Sequence, residues 1–444
     1  MRVLFTTWPA KAHLYPVAPL AWALQNAGHE VRVAAHPMMA ETIRSLGLVP
    51  VALGEDGPLP ESRTGDDTEA NLDRLAEALD LSPGDRYLWD TLRTFILPLM
   101  WDFHPLDRAS DTVDAAVDEL VRFARHWEPD LVLWDPCWPS AAVAARAAGA
   151  AHARLLWGQD YWGWAIDRFA ERRRVLGAAL GENPMVDTVR PVADHYGVEV
   201  DDELLLGQWT VDPVPSGMRL GVTHRTIPMR WVPYTGTAVV PEWLYARPER
   251  PRVAISLGVS MRTYFKESQA RVASLLEMVS TMDVEVVATL DKRQLEGITT
   301  LPDNVRTVDY MPLTLLLPTT SAFIHHGGIG SFAAAATANV PQLITSDEND
   351  FTTVDDEGNE HTFATQHMDV PATSSYLERS GAGLTLDHRR LTIPEMRDRL
   401  ERVLSEPSFR RGAAGLRNDL LAAPGPAEVV PLLERLTREN RSGG

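Results

Sequence analysis

Twice along this chain a short run of apolar residues leads through a loop into a helix and on to another strand. The first series opens at Val3-Leu4-Phe5 and the second at Val253–Leu257. Runs this short, apolar throughout and followed by a helix, fit strands buried on both faces of a parallel sheet. Parallel neighbours need a crossover between them, so each series predicts its own doubly wound α/β unit. A chain of 444 residues, 45% of them hydrophobic, is too long for one typical core and fits two such units.

The first series continues with a Pro-containing loop that carries His13. Val17, Leu20, Ala21 and Leu24 then recur at helical spacing, with Gly28 as the stop. Glu30–Ala35 reads as a strand and Ala40–Leu46 as a helix closed by Gly47. Later strands are predicted at Leu131–Trp134, which ends at Asp135, and at Ala153–Leu156, with a helix over 141–148 between them. Residues 54–85 read as surface loop, 86–127 as helical with several aromatics, and 160–205 as mainly helical. In the second series the further strands are Val284–Ala288, Val305–Val308 and Ala322–His325, then helix over 392–421. Pro424 and Pro426 precede a last amphipathic helix, Val429–Leu436. The resulting domains are 1–206, a linker at 207–248 rich in Pro, Trp and Gly, a second domain at 249–423, and a helical tail at 424–444. Residues 345–366 hold seven acids and no Lys or Arg, the composition of a solvated surface insertion. No 20–50-residue repeat is visible, which excludes a solenoid.

The formal net charge is −19, so the surface repels nucleic acid and anionic membranes, and neither is expected as a partner. A phosphate ligand is still compatible, because backbone amides and single side chains bind one locally. Cys137 is the one cysteine, which rules out an internal disulfide and a cysteine-built zinc site and favours a cytoplasmic location. The opening MRVLFTTWPAKAH does not read as a signal peptide, and no apolar run nears the roughly 18 residues of a membrane span.

The motif with the most chemistry is IHHGGIGS, Ile324–Ser331. A buried strand ends in His325-His326, two glycines allow a close turn, and an Ala-rich helix begins behind them. Such a turn presents amides and the positive end of a helix to an anion. His326 adds a directed donor and Ser331 a hydroxyl, so a diphosphate suits the cradle; a tight turn with a structural histidine is the alternative. A second turn, SLGVS from Ser256 to Ser260, follows the first strand of the second series, with Gly258 for close approach and Ser260 as a phosphate ligand. Both turns leave strand C-termini, where open α/β sheets bind ligands. VDYMPLTLLLP, Val308–Pro318, leaves a strand too; Tyr310 and the backbone there could flank a flat base, although core packing explains the run equally well.

In the first series His13 and Asp135 both follow strands at that same edge. Brought together they would form a general-base pair, the carboxylate orienting the imidazole and stabilising its cation. Spacing alone does not establish the contact. Trp157, Tyr161, Trp162 and Trp164 follow another strand end and either line an apolar pocket or pack the core.

Taken together these segments resemble the glycosyltransferases of bacterial antibiotic biosynthesis. The likeness runs through AHLYPVAPLAWALQNAGHEVRVAA, PDLVLWDPCWPSAAVAARAAGAAHARLLWG, GQWTVDPVPSGMRL, VPYTG, HHGGIGS and GAG, nearly the whole chain. The resemblance implies an α/β fold of the GT-B architecture, two facing Rossmann-like domains with parallel sheets, the tail at 424–444 crossing back to an acceptor-binding N-terminal domain. It implies an inverting transferase that moves a deoxysugar or aminodeoxysugar from a dTDP-sugar to a hydroxyl of a hydrophobic polyketide, macrolide or anthracycline aglycone. By motif position His13 matches the family's catalytic base and Asp135 its partner. Ser256, Gly258 and Ser260, together with His326, Gly327, Gly328, Gly330 and Ser331, match the diphosphate site. Tyr310 and Met311 match the loop against thymine. Trp157, Asp160, Tyr161 and Trp162 are expected at the acceptor.

The family usually passes from its PQ, here Pro341-Gln342, to a Trp-Asp or Asp-Gln element within a few residues. Here the acidic insertion intervenes, and Met368-Asp369 is the best match by its distance from GAG. Asp369 is thereby the expected sugar ligand. No cofactor and no metal are expected, since no Asp-x-Asp pair lies near a glycine turn and Asp355-Asp356 sits in the insertion. The resemblance also implies a helper protein with the haem-monooxygenase fold; a homodimer is a further expected partner. Some of the aromatics Tyr87, Trp89, Phe95, Trp101, Phe103 and Trp127 must pack the core, and the exposed ones supply either the helper's docking patch or the acceptor site. The two other readings are a nucleotide-sugar 2-epimerase of the same fold and a non-catalytic nucleotide-sugar-binding partner.

Overall fold

The fold was obtained as a computed structural model, which describes residues 1–57, 75–97, 115–258, 269–345, 348–354, 360–366 and 368–441. The chain divides into two compact units. The first comprises Met1–Val214, Arg219–Arg230 and Pro424–Gly444, and the second Pro215–Met218 and Trp231–Ala423.

The first unit is built on seven parallel strands: β1 (Arg2–Thr6), β2 (Glu30–Ala35), β3 (Val49–Ala52), β4 (Leu131–Trp134), β5 (Ala151–Leu155), β6 (Trp209–Asp212) and β7 (Thr226–Pro228). Their order is β3-β2-β1-β4-β5-β6-β7. Val3, Leu4 and Phe5 are fully buried at the centre of this sheet, which is why the strand that opens the chain is apolar throughout. The order reverses direction between β1 and β4, and that switch point is where a doubly wound sheet opens a crevice beyond its strand ends. His13 follows β1 and Asp135 follows β4, so the topology alone brings their loops together. The Val17–Asn26 helix buries Val17, Leu20, Ala21 and Leu24 and ends before Gly28, whose φ of 85° closes it.

The second unit repeats the plan with β8 (Arg252–Ser256), β9 (Glu285–Thr289), β10 (Val305–Val308), β11 (Ala322–His325) and β12 (Gln342–Thr345), then a hairpin of β13 (Glu348–Val354) and β14 (Glu360–Gln366), and β15 (Gly383–Leu386). The main sheet has the order β10-β9-β8-β11-β12-β15. Its switch point lies between β8 and β11, whose following loops carry Gly258 and His326-Gly327-Gly328.

One expectation changes. Segment 207–248 is no free linker: β6 and β7 are two short strands of the first sheet, and their Pro- and Trp-rich surroundings mask them in the sequence. The acidic insertion is a two-stranded antiparallel hairpin, Glu348 opposite Gln366 and Val354 opposite Glu360. The tail, Pro426–Asn440, is a helix of the first unit, where His29 Nε2 meets Glu434 Oε1 at 2.9 Å. Among the aromatics expected on a docking patch, Trp89 and Trp127 are core residues, 2% and 7% exposed, and only Tyr87 and Phe95 are partly open. Trp101 and Phe103 lie outside the described residues. Among the described residues no helix is long and apolar enough to cross a membrane.

Candidate active site

In the first unit the one-turn helix Lys11–Leu14 carries His13, and its Nδ1 lies 2.8 Å from Asp135 Oδ2. Both residues are buried, at 6% and 4% exposure. An ionised carboxylate only accepts, so Nδ1 bears a proton, and in the neutral ring it is Nε2 that carries the lone pair. Asp135 accepts three more hydrogen bonds: from the Trp8 amide at 3.0 Å, the Cys137 amide at 2.9 Å and the Trp157 indole at 3.0 Å. Burial works against the charge on Asp135, but its electrostatic attraction to His13, the His13 hydrogen bond and the two amides outweigh it and hold the carboxyl below its ordinary range. The result is a fixed carboxylate that orients an imidazole with a basic nitrogen.

The residues expected at the acceptor divide into two groups. Trp157 is half-buried, and its ring lies tilted against His13 at a centroid distance of 4.0 Å. Tyr161 and Trp162 are each 1% exposed, and the Trp162 indole donates to the Leu205 carbonyl at 2.9 Å. Asp160 is not open to a ligand. Its oxygens take both Arg154 guanidinium nitrogens, each at 2.8 Å, and Oδ1 also takes the Gly163 amide at the start of the Tyr161–Leu176 helix. Burial opposes the charge on Asp160, but Arg154 and His224 hold the carboxyl far below its ordinary range. Among the described residues, Trp157, Gln159, Tyr161 and Trp162 line a small cavity of about 20 Å³, room for one water.

In the second unit the two glycine turns meet around His326. A Cβ on Gly258 would lie 2.4 Å from the His326 Cε1, and one on Gly328 would lie 2.5 Å from its Nε2. The ring therefore fills a slot that only two glycines leave open. Gly327 has φ 88° and forms the turn itself, and Gly328 caps the Ile329–Thr337 helix, which holds Gly330 and the half-buried Ser331. A strand, a glycine turn and a helix N-terminus with an imidazole beside it are the parts of an anion cradle. Asp369 lies at the same helix end. Its Oδ2 accepts the Ile329 amide at 3.2 Å, while Oδ1 is buried with no hydrogen-bond partner among the described residues. Burial pushes its carboxyl up to about 6, against the Ile329 hydrogen bond.

Ser256 ends β8 and its hydroxyl accepts from Thr289 at 2.9 Å. Ser260 lies outside the described residues. Tyr310 is 39% exposed and its phenol donates to the Thr235 carbonyl, whereas Met311 is core, packed with Leu313, Leu316 and Phe323. Two contributors were not anticipated. His325 is fully buried; its Nδ1 accepts the Gly327 amide at 3.1 Å and its Nε2 donates to Gln342 at 2.9 Å, so it holds the turn while His326 faces the slot. Burial lowers it to about 4, which keeps it neutral. Arg154 sits inside a strand that otherwise reads as apolar; an acid six residues on was the available signal.

Comparison with known proteins agrees with this architecture. Residues 22–258 match the family described as erythromycin biosynthesis protein CIII-like, N-terminal domain, and residues 273–436 match its C-terminal domain. The chain is 40% identical to the aclacinomycin-T 2-deoxy-L-fucose transferase of Streptomyces galilaeus, over 99% of this chain and 97% of that one. It is 39% identical to the 10-deoxymethynolide desosaminyltransferase of Streptomyces venezuelae, over 99% and 98%. The crystal structure of the glycosyltransferase VinC in complex with dTDP superposes with a TM-score of 0.79 at 32% identity, covering 99% of this chain and 100% of that one.

Proposed function

The chain belongs to the erythromycin biosynthesis protein CIII-like family and is a glycosyltransferase, and from that premise we propose that it moves a deoxysugar from dTDP to a hydroxyl of a polyketide aglycone, in one inverting step with His13 as base. The observation that carries this reading is the buried 2.8 Å contact between His13 and Asp135. Nε2 takes the acceptor proton as the acceptor oxygen bonds to the anomeric carbon. The bond from that carbon to the β-phosphate oxygen breaks with its electron pair, and dTDP leaves. His326 and the start of the Ile329–Thr337 helix would stabilise the charge that develops on the leaving phosphate. Asp369 would hold a donor-sugar hydroxyl through Oδ1.

Metal independence is part of the proposal, because a helix terminus and an imidazole supply what a cation would. A helper protein with the haem-monooxygenase fold, a homodimer and a cytoplasmic setting complete it; the helper rests on the family resemblance and the setting on the single cysteine. Incubation with dTDP-2-deoxy-L-fucose and an anthracycline aglycone, and with dTDP-desosamine and a macrolide aglycone, tests the whole. A product whose anomeric configuration is opposite to the donor's is expected from at least one pair. A retained configuration, or full turnover by His13→Gln, would overturn the mechanism. Consumption of the dTDP-sugar without any acceptor would favour the epimerase reading.

A further inference from the structure

We propose that Trp157 is a positioning residue of the catalytic pair, one side chain that fixes Asp135 through its indole N–H and His13 through its ring. This rests on the reading of His13 as base.

The carboxylate of Asp135 has four good acceptor positions and all are filled. Oδ2 takes His13 and the Trp8 amide; Oδ1 takes the Cys137 amide and the Trp157 indole. Two of these donors are backbone amides, held in place by the loops after β1 and β4. Among the described residues Trp157 is the one side-chain donor apart from His13 itself, and it comes from a third strand end, that of β5. Its ring also lies against the His13 imidazole, 4.0 Å between centroids at 38°. Rotation of His13 about its last side-chain bond would drive the imidazole edge into that ring, so the contact holds Nδ1 on Asp135 and aims Nε2 away from it.

The loop that carries Trp157 is itself fixed. It leaves β5 with the Leu156 amide on the Val211 carbonyl at 3.0 Å. It is closed by the doubled Arg154–Asp160 ion pair, fully buried on the arginine side. Arg154 also donates to the Leu206 carbonyl at 2.8 Å and to Thr210 at 2.8 Å. Asp160 is thus an anchor for the Trp157 loop. A tryptophan serving only as a pocket wall needs neither a hydrogen bond to the catalytic carboxylate nor a buried ion pair behind it.

Trp157→Phe removes the N–H and keeps most of the ring. The remaining three donors leave more charge on Asp135 Oδ1, which strengthens its pull on the His13 proton and favours the imidazolium. In protein labelled with 15N-histidine, the His13 signals are assigned by their loss in His13→Gln. The wild type is expected to show one neutral form, protonated at Nδ1. The phenylalanine variant should show a His13 titration midpoint displaced to higher pH. Turnover should fall about tenfold, the lower end of what a hydrogen bond to a charged group supplies, with the acidic limb of kcat/KM moving the same way. dTDP affinity and acceptor KM should hold. Trp157→Leu, expected to shift the signals in the same direction, serves if the phenylalanine variant does not fold. An unchanged midpoint in the folded variant, or a rise in acceptor KM alone, would overturn the proposal. Wild-type turnover by His13→Gln would instead sink the base assignment, and the two failures are read separately.

Discussion

A methyl group placed on Gly258 would sit 2.4 Å from Cε1 of His326, closer than real carbon contacts come. Gly258 also has φ 87°, a conformation that costs an L-residue roughly 1–2 kcal/mol. Gly258→Ala should therefore push the imidazole out of its slot while the rest of the β8–β11 sheet stays intact. The expected result is a loss of dTDP affinity of about tenfold or more, with an unchanged circular dichroism spectrum. Undiminished dTDP binding by the folded variant would show that His326 does not hold the nucleotide.

Asp369 sets function against stability. Its Oδ1 is buried with no partner among the described residues, and burial raises its carboxyl to about 6. A carboxyl raised in the folded state costs stability above its unfolded value near 4, and the cost grows until pH passes the folded value. Asp369→Asn should raise the thermal midpoint at pH 8, by about 1–3 kcal/mol of stability, and this gain should fade toward pH 4. Transfer should slow because the sugar loses a charged acceptor. A lower midpoint for the variant at pH 8 would refute the assignment of a strained, unpaired carboxylate.

His152 provides the opposite pH dependence. It is fully buried in β5; among the described residues neither ring nitrogen has a hydrogen-bond partner, with Glu203 no nearer than 3.9 Å, and burial, aided by the Arg146 charge, lowers it to about 3. The unfolded chain binds this proton near pH 6.5 and the folded one does not, so the stability it confers is complete above 6.5 and is lost as pH falls toward 3. His325, at about 4, acts in the same sense; Asp369 and Asp212, raised mainly by burial to about 6, act against it. The comparison of variant with wild type isolates the histidine. In urea titrations at pH 7.5 and pH 5, His152→Leu should lose less stability on acidification than the wild type. Equal losses would show that His152 does not titrate as a buried neutral group.

Chelation should leave the rate unaltered. Mg²⁺ on a diphosphate is ordinarily held by one or two carboxylates at the phosphates. Among the described residues the one His, Cys, Asp and Glu grouping close enough to share an ion is His13, Asp135 and Cys137, in the first unit, where the Asp135 oxygens are already filled. Excess EDTA is expected to change nothing; activity lost to EDTA and restored by Mg²⁺ or Mn²⁺ would end the metal-free mechanism.

The sheets were readable because their strands are buried on both faces and their glycine stops are plain: Val3-Leu4-Phe5 and Leu131–Trp134 announce themselves. β6, β7 and β12 did not, since three or four residues among prolines carry too little periodicity. The contact of His13 with Asp135 was within reach because both follow strands at one switch point. The division of labour between His325 and His326 was not: adjacent residues on a strand point to opposite faces, but which face meets the glycine turn is decided by the sheet. Asp160 misled for a related reason, its partner Arg154 lying within an apolar strand where a buried cation is not expected.

The first unit is not contiguous in the chain. Its Val17–Asn26 helix packs against Pro426–Asn440, His29 pairs with Glu434, and the Gln208 amide donates to the Asn440 carbonyl at 3.1 Å. On the ribosome, then, the segment translated first lacks its covering helix until almost all of the second unit has been made. Residues 1–230 would wait with an apolar stripe open to solvent, where chaperones bind and aggregation begins, while the second unit has every strand of its sheet before the last helix emerges.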